Sequence, residues 1–377
     1  MSLNHASRIP VTLVTGFLGS GKTTLINAGL KSPELARTVV VVNEFGAVGL
    51  DHQLYTSSND AVVVLENGCL CCTVKSDLIA TMNSLYHDRA RGDLPDFDNV
   101  VIETTGLAEP GPVLQAFLSE PTLDGLYRVV NVVTVVDAVN WQATAQKHDE
   151  ALKQVALADD VVITKLDLRD DDTYAELEVQ LRAINPVAKI AKSDFSIDAV
   201  APLLMHKGFD AADPMADPSE WLSIATYETY VQKKVEEEGV RDQDVPQHLV
   251  AKGIESFVLT RPNPMTREEL QFLLDGITQN LGPNLLRVKG LINIHEEPGK
   301  PAVVQGVQHL LHNLTWLEKW PTGDEQTRII FITQGIARSS LREMIELLDR
   351  MCKRTFAARE RGRLAQLEAE LKEKASP

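Results

Sequence analysis

At 377 residues the chain exceeds the length at which one hydrophobic core usually keeps growing, so two domains are expected. Its 44% hydrophobic and 24% charged residues describe an ordinary globular protein. No apolar run reaches the roughly 20 residues of a membrane-spanning helix, and a formal net charge of -16 with no aromatic-interleaved Lys/Arg run argues against a nucleic-acid partner.

The N-terminal stretch Met1 to Pro10 lacks the basic start and apolar continuation of a secretory signal, so a cytoplasmic location without a membrane partner is expected. From residue 10 to about 192, apolar runs alternate with helix-forming stretches. The runs are Val11 to Thr15, Thr38 to Val42, Ala61 to Leu65, Asn99 to Glu103, Val129 to Val136, Asp160 to Thr164 and Val187 to Ile190. Most lack the polar alternation of a half-exposed strand, which suits strands covered on both faces. The expected class is therefore α/β, a doubly wound, mostly parallel sheet over residues 1–195.

Residues 196–250 lose this order. Phe209-Asp-Ala-Ala-Asp-Pro is turn-rich and Val235-Glu-Glu-Glu-Gly is charged, so the stretch reads as a connector. A second, smaller α+β domain is expected over 251–355: a strand at Ile254 to Thr260, a helix opening near Thr266, then strands near Leu285 to Ile294, Pro301 to Val307, Leu310 to Leu317 and Arg328 to Thr333. A helix from Ser340 to Lys353 follows. The tail, 356–377, reads as a charged helix with Leu364, Leu367 and Leu371 on one stripe.

Gly16-Phe-Leu-Gly-Ser-Gly21-Lys22-Thr23-Thr24 follows the first strand and opens a helix, the context a phosphate-binding loop requires. Gly16, Gly19 and Gly21 let the backbone curl, with Ser20 between them, so that N–H groups and the helix N-terminus face phosphate oxygens. Lys22 would reach the β and γ phosphates, and the hydroxyl of Thr23 would hold Mg²⁺ with Glu103, which ends the run Asn99 to Glu103. Gly106 would allow close approach to the γ phosphate. Asp137 also ends a strand, where ligands gather in such sheets, but its role stays open.

Thr164-Lys165-Leu166-Asp167 follows a late strand. The Asp167 carboxylate can accept from both N1–H and the exocyclic amine of guanine, which adenine does not offer, while the Lys165 stem would lie along the base. The nucleotide expected is GTP.

Three of the four cysteines crowd into Cys69-Leu70-Cys71-Cys72, too few for a disulfide scaffold and close enough to converge on one soft ion. Zn²⁺ or a neighbouring metal such as Co²⁺ suits three thiolates, and the fourth tetrahedral position would stay exchangeable. A structural zinc clip, or buried cysteines without function, are the plainer alternatives.

GFLGSGKTT, Asn43-Glu-Phe-Gly46, Glu66-Asn-Gly-Cys-Leu-Cys-Cys72, Glu103-Thr-Thr-Gly-Leu-Ala-Glu-Pro110 and TKLD together resemble the CobW-like family of metal-handling GTPases. Arg287-Val-Lys-Gly and Val304-Gln-Gly-Val in the second domain are similar to that family too. The resemblance implies a GTP-driven metallochaperone or insertase, related to the nickel-inserting GTPases of hydrogenase and urease maturation, acting on a client metalloprotein. A homo-oligomer is one available state. It implies that Cys69, Cys71 and Cys72 bind cargo metal. It also places Glu44 and Gly46 in a switch between nucleotide and metal, making Lys22, Glu103 and Glu44 the candidate catalytic residues. The rival readings are a regulatory GTP switch with a merely structural cysteine cluster, and a thiol redox sensor. The sequence lacks the His-rich run that many members carry, and no arginine finger or water-positioning glutamine is visible in it, so slow intrinsic turnover is expected.

Overall fold

Val- and Ile-rich runs extend as strands whose alternate side chains can enter two different apolar layers. The structure is a computed structural model describing residues 8–45, 62–67, 73–169, 173–205, 253–308, 310–311, 314–320, 324–337, 339–351 and 354. Its first seven strands are β1 (Ile9–Thr15), β2 (Thr38–Phe45), β3 (Val62–Asn67), β4 (Asn99–Thr104), β5 (Tyr127–Asp137), β6 (Asp160–Thr164) and β7 (Lys189–Lys192). They form one parallel sheet in the order β3-β2-β4-β1-β5-β6-β7. β1 lies between β4 and β5, so the carboxyl end of β1 is the point at which the chain order reverses and a ligand crevice opens.

The helices packed on this sheet are α1 (Lys22–Gly29), α2 (Thr73–Arg91), α3 (Pro110–Ser119), α4 (Pro121–Leu126), α5 (Trp141–Lys147), α6 (Asp149–Leu157), α7 (Thr173–Ile184) and α8 (Ile197–Leu204). Leu13, Val39, Val41 and Ile102 point to a layer containing Leu78 and Met82 of α2 and Val113 and Phe117 of α3. Their neighbours Val14, Val40, Val42 and Val101 point the other way, onto Leu25 and Ile26 of α1 and Val200 and Leu204 of α8. Two apolar layers explain why the strands show no polar alternation. Each fully buried Val or Leu contributes about 1.5–3 kcal/mol by transfer from water.

The stretch expected as a connector, 196–250, opens with a helix. Ile197–Leu204 is a helix, and it sits so near α1 that a Cβ on Gly29 would lie 2.5 Å from a Leu204 methyl. Val200 and Leu204 at i and i+4 give it the apolar stripe that fastens it there. Residues 206–250 lie outside the described residues.

The second sheet comprises β8 (Ile254–Arg261), β9 (Leu285–Ile292), β10 (Ala302–Val307), β11 (Leu310–Leu311), β12 (Thr315–Trp316) and β13 (Thr327–Gln334). It is antiparallel, in the order β11-β10-β9-β13-β8 with β12 paired to β10. The expected run Leu310 to Leu317 thus becomes two short strands rather than one. The helix expected near Thr266 is α9 (Arg267–Leu281), opened by a capping box in which Thr266 and Glu269 each bond the other's backbone N–H. α9 and α10, residues 339–351, cover one face of the sheet, with Leu270, Leu274, Ile277, Leu341 and Ile345 packed against Phe257, Leu259, Ile329 and Phe331. The tail leucines Leu364, Leu367 and Leu371 lie outside the described residues.

The two sheets share a core: Ile254, Leu286, Ile330 and Ile332 cluster with Val155, Leu177 and Leu181 of α6 and α7. Beside this cluster Asp159 meets Arg287 at 2.5 Å and also pairs with Lys289.

Candidate nucleotide site

The loop between β1 and α1 turns on three glycines with positive φ: Gly16 at 138°, Gly19 at 70° and Gly21 at 100°. At Gly16 the need is also spatial, since a Cβ would lie 2.3 Å from the Val135 carbonyl oxygen. Gly21 begins α1 without a side-chain cap, so the N–H groups of the first turn remain available to an anion. Lys22 is 7% exposed and folds its ammonium over the loop, donating to the carbonyls of Gly16 (2.9 Å) and Phe17 (3.2 Å). Thr24, in the same helix turn, is exposed. The buried Ser20 Oγ has no hydrogen-bond partner among the described residues.

β4 delivers its carboxylate to this loop. Glu103, 6% exposed, accepts a hydrogen bond from Thr23 Oγ1 at 2.9 Å across 80 residues of sequence. One residue on, Thr104 Oγ1 donates to Thr15 Oγ1 at 2.9 Å, tying the two strand ends together. Gly106 lies directly against the phosphate loop: a Cβ there would be 2.5 Å from the Leu18 backbone nitrogen. Its glycine requirement therefore comes from contact with the loop itself.

The tetrapeptide Thr164 to Asp167 meets the same loop. Thr164 Oγ1 donates to the Ser20 carbonyl at 2.8 Å. Lys165 adopts φ 59° and extends its ammonium to the Gly19 carbonyl at 2.6 Å and to Asp137 Oδ2 at 2.7 Å. Asp167 lies in a short 3₁₀ turn, Leu166–Leu168, and is exposed. The structure thus brings Gly16 to Thr23, Glu103, Thr164 and Lys165 into one crevice at the carboxyl ends of β1, β4 and β6, with Asp167 at its rim.

Asp137, whose role the sequence left open, anchors Lys165. It also accepts from the Val139 N–H (2.8 Å) and the Asn140 amide (2.8 Å). Burial pushes its carboxyl up, but the bonds from Lys165, Asn140 and Val139 outweigh burial and hold it below the ordinary carboxylate range. Phe195 is a residue that the sequence did not flag. It has φ 59° in the turn after β7, and its ring sits 3.3 Å from where a Cβ on Gly21 would be. The available signal was its position just after the last strand.

Glu44 lies at the carboxyl end of β2, in register with Glu66 of β3. Cys69, Cys71 and Cys72, like Gly46, lie outside the described residues; the strand before the cysteines ends at Asn67 and the helix after them starts at Thr73.

A parallel doubly wound sheet with a glycine loop, a helix-opening Lys-Thr pair and a carboxylate from the adjacent strand defines a P-loop nucleotide-binding protein. Residues 10–192 match the CobW/HypB/UreG nucleotide-binding domain, and residues 254–348 match the cobalamin synthesis protein cobW C-terminal domain. The chain belongs to the CobW family. It is 30% identical over 332 residues to the zinc chaperone YjiA of Escherichia coli, covering 87% of this chain and 94% of that one. To the zinc chaperone CobW of Pseudomonas aeruginosa it is 30% identical over 376 residues, covering 90% and 92%. The zinc-regulated GTPase metalloprotein activator 1 of Dictyostelium discoideum is 27% identical, covering 89% and 78%. Among solved structures, the Zn(II)-bound YjiA GTPase from E. coli superposes with a TM-score of 0.63 at 26% identity, covering 90% of this chain and 99% of that one.

Proposed function

We propose that the chain is a GTP-driven metallochaperone: it hydrolyses GTP, binds a transition ion through Cys69, Cys71 and Cys72, and passes that ion to a client protein. The observation that carries the nucleotide half is the Lys165 bridge, which joins the base-reading tetrapeptide to the Gly19 carbonyl and so links base and phosphate recognition in one crevice. Family membership and the likeness to zinc chaperones support the metal half, and among candidate ions they favour Zn²⁺ ahead of Co²⁺.

Thr23 and Glu103 offer a hydroxyl and a carboxylate oxygen 2.9 Å apart, hard donors that fit Mg²⁺ and would hold it. When bound, Mg²⁺ neutralises charge on the phosphoryl group being transferred. The loop N–H groups and α1's N-terminus bind the phosphates. Lys22, already poised over the loop, moves its ammonium from the Gly16 and Phe17 carbonyls to phosphate oxygens. Water attacks the γ phosphorus in line, the bond to the β–γ bridging oxygen breaks, and GDP and phosphate leave. Glu44 ends β2, which pairs with β3, so γ-phosphate contacts near it would reach the strand that leads to the cysteines.

The test is a titration of Zn²⁺ and Co²⁺ into the full chain loaded with a non-hydrolysable GTP analogue, or with GDP, beside Cys71→Ala. One ion per chain is expected, with an affinity that differs at least about tenfold between nucleotide states, a coupling of ~1.4 kcal/mol. Cys71→Ala should lose it. Equal affinity in both states would sink the chaperone reading, and ATP turnover equal to GTP turnover would sink the guanine assignment.

A further inference from the structure

Helix α6 places one amide behind the phosphate crevice. Gln154 is 1% exposed, and its Nε2 donates to two carbonyls of the segment that follows Glu103: Gly106 at 3.2 Å and Ala108 at 3.0 Å. An amide NH₂ has two hydrogens, so both are used on one short loop. The Ala108 N–H turns back to the Thr105 carbonyl at 3.0 Å, whereas the N–H groups of Gly106 and Leu107 have no acceptor among the described residues. With the carbonyls of 106 and 108 drawn toward α6, the Gly106 and Leu107 N–H groups are left for a ligand, next to the phosphate loop that Gly106 abuts at Leu18.

Gln154 is itself held from three directions. Its own carbonyl accepts from Thr134 Oγ1 of β5 at 2.7 Å. The preceding residue, Lys153, pairs with Glu109 at 2.6 Å, closing the far end of the same loop. Arg287 of the second sheet bonds the Leu157 carbonyl at the end of α6. α6 is thus fastened to the first sheet, to the loop and to the second domain, and Gln154 can act as a fixed reference for residues 106–108.

We infer that Gln154 is a positioning residue for GTP hydrolysis: through the Gly106 and Ala108 carbonyls it sets the backbone N–H groups that meet the γ phosphate, without touching the nucleotide. The inference rests on the phosphate-loop reading above. It makes Gln154 matter in the GTP-bound and transition states and leave GDP binding unaffected, because GDP has no γ phosphate for that loop to meet. A glutamine that only satisfied two buried carbonyls would affect stability and both nucleotides alike.

The test uses the full chain and two variants of nearly unchanged volume, Gln154→Met, which removes the donor, and Gln154→Glu, which turns an acceptor toward two carbonyls. Turnover, KM for GTP, GDP affinity and melting temperature are measured beside wild type and Lys22→Ala. Gln154→Met is expected to lower kcat about tenfold with GDP affinity within about twofold of wild type, and Gln154→Glu to lower kcat further. Unchanged kcat in Gln154→Met, or a fall matched by equal loss of GDP affinity and of melting temperature, overturns the inference. Should Gln154→Glu fail to fold, Gln154→Met alone decides. Full GTP binding by Lys22→Ala would instead overturn the phosphate-loop reading, so the two failures are distinguishable.

Discussion

Asp137 sits at the carboxyl end of β5 with donors from Lys165, Asn140 and the Val139 backbone around one carboxylate. Its work is indirect: it holds Lys165, whose ammonium also bonds the Gly19 carbonyl. Asp137→Ala should release that side chain and weaken GTP and GDP binding alike, by about tenfold for one charge-assisted hydrogen bond, as read by fluorescent-nucleotide titration. Asp167→Asn should act differently. By exchanging an acceptor for a donor opposite the base edge it should cut the preference for GTP over ATP by about a hundredfold or more, with phosphate affinity retained in the ATP arm. At this scale the sequence showed Lys22, Thr23, Glu103 and Lys165 because each stands in a short pattern with its own mechanism. It could not show Asp137 holding Lys165 or Gln154 holding Gly106, since 28 and 48 residues separate those pairs and nothing local marks them.

The strand-to-loop transitions are governed by backbone proximity. Gly106 and Leu18 come from β4 and from the phosphate loop, and a Cβ on Gly106 would sit 2.5 Å from the Leu18 nitrogen and 2.6 Å from its α-carbon. Those are backbone atoms, which cannot rotate aside. Gly106→Ala should therefore displace the loop, costing about 1–3 kcal/mol of stability by overpacking, with a loss of GTP turnover larger than the loss of stability alone would produce. Denaturant midpoints and single-turnover rates measure the two parts. In the second domain the capping box at Thr266 offers a simpler case, where Thr266→Ala should cost ~1 kcal/mol and leave turnover unchanged. The parallel strands β1, β2, β4, β5 and β6 were legible because they are buried on both faces, which removes the alternation that would otherwise blur their limits. α8 was not, because Ile197–Leu204 is short, carries Pro202 and reveals its apolar stripe as meaningful only once α1 is beside it.

Across the whole molecule the two sheets are joined by a charged cluster as well as by a shared apolar core. Burial pushes the Asp159 carboxyl up, but Arg287 and Lys289, with the Val132 N–H, outweigh it and hold it at about 2. Burial lowers Lys289 to about 8, with Arg287 acting in the same direction and Asp159 against it. The sign for Asp159 follows from its depressed folded value: its stabilisation is complete above the unfolded value of 3.8 and is lost as pH falls toward 2. Acid titration of wild type from about pH 4 to about pH 2 should therefore destabilise it more steeply than Asp159→Asn, which has no proton to gain. At neutral pH Asp159→Ala leaves two buried cations without their shared anion and should cost about 3–5 kcal/mol, measured by denaturant unfolding; a loss below about 1 kcal/mol would show that the pair is effectively solvated.

By itself, the sequence determined that this chain has a parallel phosphate-loop sheet followed by a smaller mixed domain, because periodicity and glycine patterning are local properties written within a few residues of each other. It also singled out the glycine loop and the Glu103 carboxylate that meets it, because each stands in a short pattern with its own mechanism. Only the tertiary structure decided that Asp137 anchors Lys165, that Gln154 draws the 106–108 loop toward α6, and that Asp159 fastens one domain to the other. Those roles depend on which strands lie side by side, and strand order is set by long-range burial that no single segment encodes.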